Sequence, residues 1–315
     1  MKIKKKFRIV THSGTFHVDD VFAVATLKIF LTKKYGGMFY KPQINVLRTR
    51  NLDLIKEDDY IVDLAGEYDF KKLIFDHHQI GGAGGRENGI AYSAFGLVWK
   101  DFGEEICGSC EVAEEIDKKV TQPIDAMDNG MDLYSVNIEG VNPYLFYDVI
   151  STFNFVSQRR KNNGINKNFA KMVSWAEDIL LMEIERVVIE VGFKKEIEEI
   201  YKKTEDKRLI VFEEDYNPRV WQEVLQKYPE PLFVIKPDNR NGGQTGIWKM
   251  KNVNKVLTSF EARKDLPEAW AGKTGKELQE ITGVEDAIFC HTKRFIVTAG
   301  SKEGILKLAE LALKE

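Results

Sequence analysis

The sequence predicts an α/β protein in which a doubly wound parallel sheet precedes a smaller α+β domain. Short apolar strands alternate with helical segments in the first half, a pattern typical of parallel βαβ units. A long, charged helical segment then separates this half from a second group of strands. The 315 residues suffice for two domains, and we place the boundaries at 1–165, 166–205 for the connecting helix, and 206–315.

Composition narrows the functional classes. With 43% hydrophobic and 30% charged residues, the chain has the make-up of an ordinary globular protein. No stretch approaches the ~20 apolar residues of a membrane span. The start lacks an apolar signal segment and the three cysteines fit a reducing compartment, so we expect a cytoplasmic protein. A net charge of −3 excludes the global basicity of proteins that hold nucleic acid mainly through phosphate contacts.

The first polar cluster comes in the turn after the first apolar strand. It contains His12, His17, Asp19 and Asp20, and it leads into a helix, Val21–Leu31, that is apolar on nearly every side. Carboxylates suit a helix N-terminus, which explains Asp20 but leaves the two histidines unexplained. Imidazole and carboxylate together bind Mn²⁺, Fe²⁺ or Zn²⁺, so this turn is a candidate metal site.

Two later strands also end in polar residues. Asp63 ends the strand Tyr60–Leu64, and the triplet Asp76, His77 and His78 follows the next apolar strand. A lone aspartate after a strand is more often a turn residue than a ligand. The loops beyond the carboxyl ends of strands are nevertheless where α/β sheets bind ligands, so we expect these residues to meet the first cluster.

Three further features lie between residues 81 and 130. The glycine-rich run 81–89 lacks the Lys-Ser/Thr of a P-loop and predicts a mobile active-site loop. The helix after it starts with small residues that allow close approach to a ligand, and Ser93 is a candidate substrate contact. Cys107 and Cys110 form an isolated CxxC pair, for which zinc or redox chemistry is the minority interpretation.

Two carboxylates close the following helix, Glu111–Gly130, which Pro123 interrupts. Asp125 and Asp128 are three residues apart and therefore share one helix face. They oppose the dipole at the C-terminal end of the helix, which indicates a compensating cation. Together with the strand-end residues, they supply enough ligands for two divalent ions. Mixed nitrogen and oxygen ligation favours Mn²⁺, while Mg²⁺, Zn²⁺ and Fe²⁺ stay open.

Four motifs, in order along nearly the whole chain, resemble those of the Myg-type exonuclease family. The motifs are Thr11–Asp20, Asp76–Gln79, Asp125–Gly130 and Phe289–Phe295. That family is part of the DHH phosphoesterase superfamily, with RecJ nucleases, oligoribonucleases and manganese pyrophosphatases. The resemblance implies a Rossmann-like catalytic DHH domain, a linker helix and a smaller substrate-binding domain. It also implies metal-dependent phosphodiester hydrolysis, with 3′–5′ exonuclease activity on RNA or short oligonucleotides.

The resemblance also implies roles for individual residues. The matched metal ligands are His12, His17, Asp19, Asp63, His77 and Asp128. Within this set Asp63 occupies the bridging position, and His17 stands where the superfamily usually has aspartate. His78 resembles the residue that contacts the scissile phosphate, and Asp76 resembles its orienting partner, so both are candidate catalytic residues. The Asp-Asn-Gly sequence favours Asp128 over Asp125 as the ligand.

The substrate is less sharply predicted. His291 and Arg294, between the last two strands, resemble substrate-domain contacts, but the Gly-Gly-Gly-His signature of many relatives is absent. Weak overall basicity leaves room for a hydrolase of a small phosphoanhydride or a cyclic dinucleotide, which would share the metal ions but not a polymer groove. A non-catalytic, metal-binding regulatory protein is the third alternative. We expect RNA or a short oligonucleotide as partner, and the choice between monomer and homodimer stays open.

Overall fold

The computed structural model describes residues 5–37, 40–159, 164–239 and 246–315. The chain divides into two compact units, Met1–Val188 and Ile189–Glu315. Each unit is built on one five-stranded sheet, which confirms the mixed α/β class. The division falls inside one long helix, and the domain boundaries drawn at residues 165 and 206 stay predictions.

The first unit alternates strands and helices in its N-terminal half and is mainly helical afterwards. Its strands are β1 (Lys6–Thr11), β2 (Gln43–Arg48), β3 (Tyr60–Val62), β4 (Tyr68–Asp69) and β5 (Ile74–Phe75). Its helices are α1 (Val18–Tyr35), α2 (Ala94–Cys107), α3 (Cys110–Ile116), α4 (Gln122–Asp128), α5 (Phe146–Arg159) and the first part of α6 (Gly164–Lys203).

The sheet of the first unit has the strand order β2-β1-β3-β5-β4. Strand β1 runs parallel to β2 and β3, and β5 runs parallel to β3, so these four strands end at the same edge. Strand β4 lies antiparallel to β5, which makes the sheet mixed and not wholly parallel as expected. The chain returns from β4 to β5 through a short 3-10 turn, Phe70–Lys72, too short for the crossover that a parallel pair requires. We call the shared end of β1, β3 and β5 the carboxyl edge.

Helix α1 forms the centre of this unit because its residues are apolar on nearly every side. Its positions from Val18 to Leu31 are buried with a single exception, as the sequence predicts. Phe22 packs against Phe95 of α2 with ring centroids 5.4 Å apart, and Phe30 packs against Phe102 at 4.3 Å. The N-terminus of α1 is thereby held at the carboxyl edge.

The segment predicted as one helix with a break at Pro123 forms three pieces. A π-helical turn, Asp117–Thr121, connects α3 to α4. Pro123 stands in the first turn of α4, where a missing backbone N–H leaves no hydrogen bond broken. Helix α5 is not predicted from the sequence, and its contacts with the carboxyl edge are described below.

The second unit has a mixed sheet with the strand order β6-β7-β8-β10-β9. Its strands are β6 (Leu209–Val211), β7 (Phe233–Pro237), β8 (Trp248–Asn252), β9 (Ala287–Cys290) and β10 (Ile296–Ala299), and its helices are the end of α6, α7 (Pro218–Leu225), α8 (Lys276–Thr282) and α9 (Lys302–Lys314). Among the described strands of this unit, β6 and β7 pair in parallel and the other neighbours pair antiparallel. In the part of the chain that the structure describes, no helix is both long and apolar enough to cross a membrane.

Candidate metal centre

The carboxyl edge brings the six predicted ligands together as two triads. The triads are His12, His17, Asp63 and, separately, Asp19, His77, Asp128. In each triad, one nitrogen or oxygen atom per side chain lies within 4.8 Å of the others. A third group of the same kind joins Asp63 and His77 to His78. Asp63 and His77 therefore each belong to two groups, which makes the cluster continuous.

His12 lies at the bottom of the cluster, between two carboxylates. Its Nε2 is 3.0 Å from Oδ2 of Asp20 and 3.3 Å from Oδ2 of Asp63. Burial lowers the pKa of His12, but the two carboxylates outweigh burial and raise that pKa to about 9. Its Nδ1 lies 3.4 Å from the carbonyl oxygen of Ser13 and 3.3 Å from the guanidinium of Arg50, while its Nε2 faces the carboxylates and is the atom placed to bind a metal ion.

Asp19 is the clearest sign that the cluster is built for a cation. Its side chain is buried, and neither carboxylate oxygen has a hydrogen-bond partner among the described residues. Burial raises the pKa of Asp19 well above its usual range, and the charges of Asp63, Asp128 and Asp20 add to the increase. A buried carboxylate without a partner is costly, and a divalent cation would supply the missing counter-charge. The donor set thus fits a bound metal ion.

Asp128 and His77 close the opposite side of the cluster. Oδ2 of Asp128 lies 3.4 Å from Nε2 of His77, and the two side chains are 13% and 11% exposed. The hydroxyl of Tyr147, on α5, donates to Oδ1 of Asp128 at 3.4 Å. A cavity of about 260 Å³ opens here, and its lining consists of His17, Asp63, His77, His78, Met127, Asp128 and Tyr147.

Asp76 and His78 form a pair at the rim of this cavity. Asp76 is buried, and its Oδ1 accepts hydrogen bonds from the backbone N–H of His78 at 3.1 Å and from the ring Nδ1 at 2.7 Å. Contacts with Asp63 and then Asp76 raise the pKa of His78 to about 9, against the effect of burial. The His78 side chain is 63% exposed, so Asp76 fixes the orientation of a ring that stays accessible.

Asp63 has a backbone conformation that few residues adopt. Its φ of +50° is in the left-handed region, which aspartate tolerates better than most residues with a Cβ. Its backbone N–H donates to the carbonyl of Phe75 at 3.0 Å, so the β3–β5 ladder holds it in place. Burial would raise the pKa of Asp63, but the nearby imidazoles of His12 and His78, 3.3 and 3.2 Å away, hold that pKa below its usual range. Its carboxylate therefore stays ionised between the two triads.

Asp125 is separated from the cluster by its contacts. Its carboxylate is fully buried, accepts from Ser93 Oγ at 2.6 Å and from the backbone N–H of Gly96 at 3.1 Å, and pairs with Arg86 at 2.7 Å. A Cβ at Gly96 would lie 2.0 Å from that carboxylate, so only glycine fits there. Arg86 also pairs with Asp117 at 2.6 Å, which ties the glycine-rich loop to the helices. Ser93 has no exposed surface and its hydroxyl is engaged with Asp125, and its role as a substrate contact stays a prediction.

His291 and Arg294 lie in the turn between β9 and β10 of the second unit. Nδ1 of His291 accepts the backbone N–H of Lys293 at 3.0 Å, and Arg294 lies 3.2 Å from Asp265. Both side chains are partly exposed, and their role in substrate binding stays a prediction. Cys107 and Cys110 have free thiols, and the pKa of each is raised, by burial for Cys107 and by Glu114 for Cys110. Neither is an activated thiolate.

Several residues that hold the first ligand loop are not found from the sequence. Asn154 of α5 is buried, accepts the N–H of Phe16 at 3.2 Å, and donates to its carbonyl at 2.6 Å. Arg48, the last residue of β2, donates to the carbonyl of Gly14 at 2.8 Å, and Arg50, two residues later, donates to that of Ser13 at 3.0 Å. In the sequence, the position of the two arginines at a strand end is the one hint that they lie near the site. The sequence of α5 gives no such hint.

Asp20 has two functions where the sequence suggested one. Its Oδ1 accepts the backbone N–H of His17 at 3.0 Å, which is the capping contact expected at the start of α1. Its Oδ2 faces His12, as described above. Asp20 therefore caps the helix and also places a carboxylate oxygen against the nitrogen of His12 that would bind a metal ion.

Comparison with known proteins decides the family. The MYG1 exonuclease family model, described as an uncharacterised protein family, UPF0160, matches residues 8–313. The chain belongs to this family. The resemblance seen in the four sequence motifs is thereby confirmed, and the matched range includes every residue of both triads.

Relatives in the MYG1 family occur in distant organisms. The chain is 27% identical to the MYG1 protein of Dictyostelium discoideum, over 98% of this chain and 96% of that protein. It is 26% identical to the MYG1 exonuclease of Homo sapiens, over 98% of this chain and 86% of the human protein. The MYG1 protein of Chlamydia muridarum is 27% identical, over 97% and 96% of the two chains. No solved structure gives a significant match. Family membership therefore supports a nuclease.

Proposed function

We propose that this chain is a divalent-metal-dependent phosphodiesterase, a 3′–5′ exonuclease that acts on RNA or short oligonucleotides. The observation that carries the proposal is the pair of His/Asp triads at the carboxyl edge, joined through Asp63 and His77. Relatives named exonuclease over nearly the full chain support the same class of reaction. We further propose that the first unit is a Rossmann-like DHH domain, because three of its parallel strands deliver residues of the cluster at one edge.

The two triads define how the ions would be held. His12, His17 and Asp63 would hold one ion, and Asp19, His77 and Asp128 would hold the other. Mixed imidazole and carboxylate donors favour Mn²⁺, with Mg²⁺, Zn²⁺ and Fe²⁺ as alternatives. A bound pair of divalent ions supplies charge stabilisation at phosphorus and a water of lowered pKa.

The protein side chains around the ions have separate tasks. Asp76 holds Nδ1 of His78, so that the exposed ring faces the position of the scissile phosphate and donates to one of its oxygens. Asp20 places a second carboxylate beside Nε2 of His12, next to that of Asp63, and so adds negative charge where an ion would bind. The walls formed by Met127 and Tyr147 limit the access of water to the cluster.

A small phosphoanhydride or a cyclic dinucleotide is the second candidate substrate class. The net charge of −3 and a metal-site cavity of only about 260 Å³ favour it over a long polymer. Both substrate classes use the same ions and the same His78. They differ in the dependence on salt, since polymer binding weakens steeply as salt rises.

The proposal is tested with full-length protein and RNA labelled at either the 3′ or the 5′ end. We expect Mn²⁺-dependent release of labelled mononucleotide from the 3′-labelled RNA first, and no release after chelation. Cyclic dinucleotide and pyrophosphate are assayed in parallel, and turnover of these alone would support the second candidate. No hydrolysis of any of these substrates with any of the four metals would refute the phosphodiesterase assignment.

Two histidine variants distinguish the role of the metal site from the role of the second unit. His77→Ala removes a ligand and is expected to lose bound metal and activity together. His291→Ala lies in the other unit and is expected to keep its metal content, with any loss confined to substrate affinity. Unchanged turnover in His77→Ala, or metal loss in His291→Ala, would contradict this assignment.

A further inference from the structure

A second cavity lies next to the metal-site cavity within the first unit. Its volume is about 310 Å³, at the lower end of the range for small-molecule sites. Most of its lining is apolar or aromatic: Val120, Ile124, Met127, Tyr144, Phe146 and Ile179. We call it the apolar cavity.

The apolar cavity and the metal-site cavity share two walls. Met127 and Tyr147 line both spaces. The Tyr147 hydroxyl reaches Oδ1 of Asp128 at 3.4 Å, and Tyr147 also lines the apolar cavity. A ligand group in the apolar cavity would therefore lie close to a group bound at the metal cluster, with the side chains of Met127 and Tyr147 between them.

The polar groups around the apolar cavity are engaged with one another. Lys119 and Glu183 form an ion pair of 2.7 Å at its rim. The Tyr147 hydroxyl is shared between Asp128 and the carbonyl of Ile124, each at 3.4 Å. What the lining offers a ligand is aromatic and aliphatic surface, including the ring of Tyr144, which is 74% exposed. Such a surface suits a flat aromatic group, and it makes few hydrogen bonds to the edge of that group.

A third cavity also has Tyr147 in its lining, and its chemistry is mixed. It measures about 300 Å³, and its lining mixes the apolar side chains of Phe16, Ile150 and Phe155 with the polar side chains of Thr15, Ser151, Asn154 and Gln158. A phosphodiester has a nucleoside on each side of its phosphate. The apolar cavity has the more continuous apolar surface of the two, and it is therefore the better match for a base.

We propose that the apolar cavity binds the nucleobase of the nucleotide whose phosphate lies at the metal cluster. This inference rests on the proposed function, and it identifies the subsite in which a nucleotide substrate would place its base. Because the lining is apolar and its polar groups are paired, the site accepts all four bases with similar affinity. Stacking on Tyr144 and packing against Ile179 supply the affinity.

The test compares a nucleotide with its base-free counterpart on the full-length protein. Binding of adenosine 5′-monophosphate and of ribose 5-phosphate is measured by calorimetry in the presence of Mn²⁺. We expect the nucleotide to bind at least about tenfold more tightly, the size of effect that one stacked base produces. The other three nucleoside monophosphates are expected to fall within about tenfold of it, since base stacking tolerates any base.

Substitutions in the cavity locate the effect. Ile179→Trp fills the cavity from α6 and should reduce the affinity for the nucleotide to that for ribose 5-phosphate, whose binding stays unchanged. Leu181→Trp is the matched control, because Leu181 is 50% exposed, belongs to the same helix and lines none of the cavities described above. Tyr144→Ala removes an exposed ring without disturbing the fold and should weaken nucleotide binding about tenfold.

The outcomes separate this inference from the proposed function. If the protein hydrolyses oligonucleotides but binds the nucleotide and ribose 5-phosphate equally well, the nucleobase site alone is overturned. The same holds if it hydrolyses oligonucleotides and the Ile179→Trp variant keeps full affinity for the nucleotide. Failure of both compounds to bind also overturns it. If hydrolysis is absent as well, the proposed function falls with it.

Discussion

Oδ2 of Asp128 lies 3.4 Å from Nε2 of His77, while the carboxylate of Asp125, three residues earlier, pairs with Arg86 at 2.7 Å. The two aspartates of one short helix thus belong to two different groups of interacting residues. Asp128 belongs to the candidate metal centre, and Asp125 belongs to a buried network that holds the glycine-rich loop.

This division predicts opposite effects for the same substitution at the two positions. Asp128→Asn should lower turnover at least about 100-fold, since even the partners of metal ligands contribute 10–100-fold. The stability of its metal-free form should change by less than about 1 kcal/mol. Asp125→Asn breaks a buried pair and should lower the free energy of unfolding by about 3 kcal/mol. Urea unfolding and turnover measured on both variants check this, and an exchange of the two effects would reverse the assignment.

Asp19 predicts a trade-off between stability and function. Its carboxylate is buried without a hydrogen-bond partner in the described structure, beside other carboxylates. Asp19→Asn should therefore stabilise the chelated protein by about 1 kcal/mol while weakening metal binding. Asp20→Ala, one residue later, is the matched control. It removes a helix cap and should destabilise by about 1 kcal/mol. A destabilised Asp19→Asn protein in chelator would count against a site built for cations.

We expect Asn154 to affect metal affinity although it binds no metal itself. Its side chain pairs with both backbone groups of Phe16, next to His17. Asn154→Ala leaves those groups unpaired and should lower metal affinity about tenfold, as expected for a residue that positions a ligand. Metal titration followed by calorimetry measures the affinity. Affinity equal to that of the parent would show that the loop holds its shape without this clamp.

The second unit predicts a pH effect that is independent of metal. Lys236 is 2% exposed and pairs with Asp215 at 2.5 Å. Burial raises the pKa of Asp215, but Lys236 and Lys249 outweigh it and hold that pKa below its usual range. A lowered carboxyl pKa contributes stability that is complete above about pH 4 and is lost as pH falls through the folded-state value.

Two variants test this pair. Asp215→Ala leaves a buried ammonium unpaired and should cost about 3 kcal/mol at neutral pH, with a weaker loss of stability below about pH 4. Lys236→Met replaces the ammonium with an apolar group and should cost about 1 kcal/mol or less. Urea unfolding from pH 2 to 7, followed by tryptophan fluorescence, provides the comparison. Equal costs for the two variants would argue against a buried, paired lysine.

The comparison with the sequence shows which residues a pattern can locate. His12, Asp63 and His77 each follow a strand, and parallel strands end at one edge, so their convergence is predictable from strand positions alone. Tyr147 and Asn154 come from a helix whose pattern points to no site, and they reach the cluster only through tertiary packing. The choice between Asp125 and Asp128 depends on which way each side chain faces, which spacing along a helix does not determine. The antiparallel strand β4 has two residues, too few for a periodic signal.

The most direct test of the two-ion site is a crystal structure of the Mn²⁺-loaded protein with anomalous diffraction. We expect two manganese peaks separated by roughly 3.5–4 Å. One peak should contact His12, His17 and Asp63, and the other should contact Asp19, His77 and Asp128. A single peak, no peak, or manganese bound away from Asp63 and His77 would contradict the account.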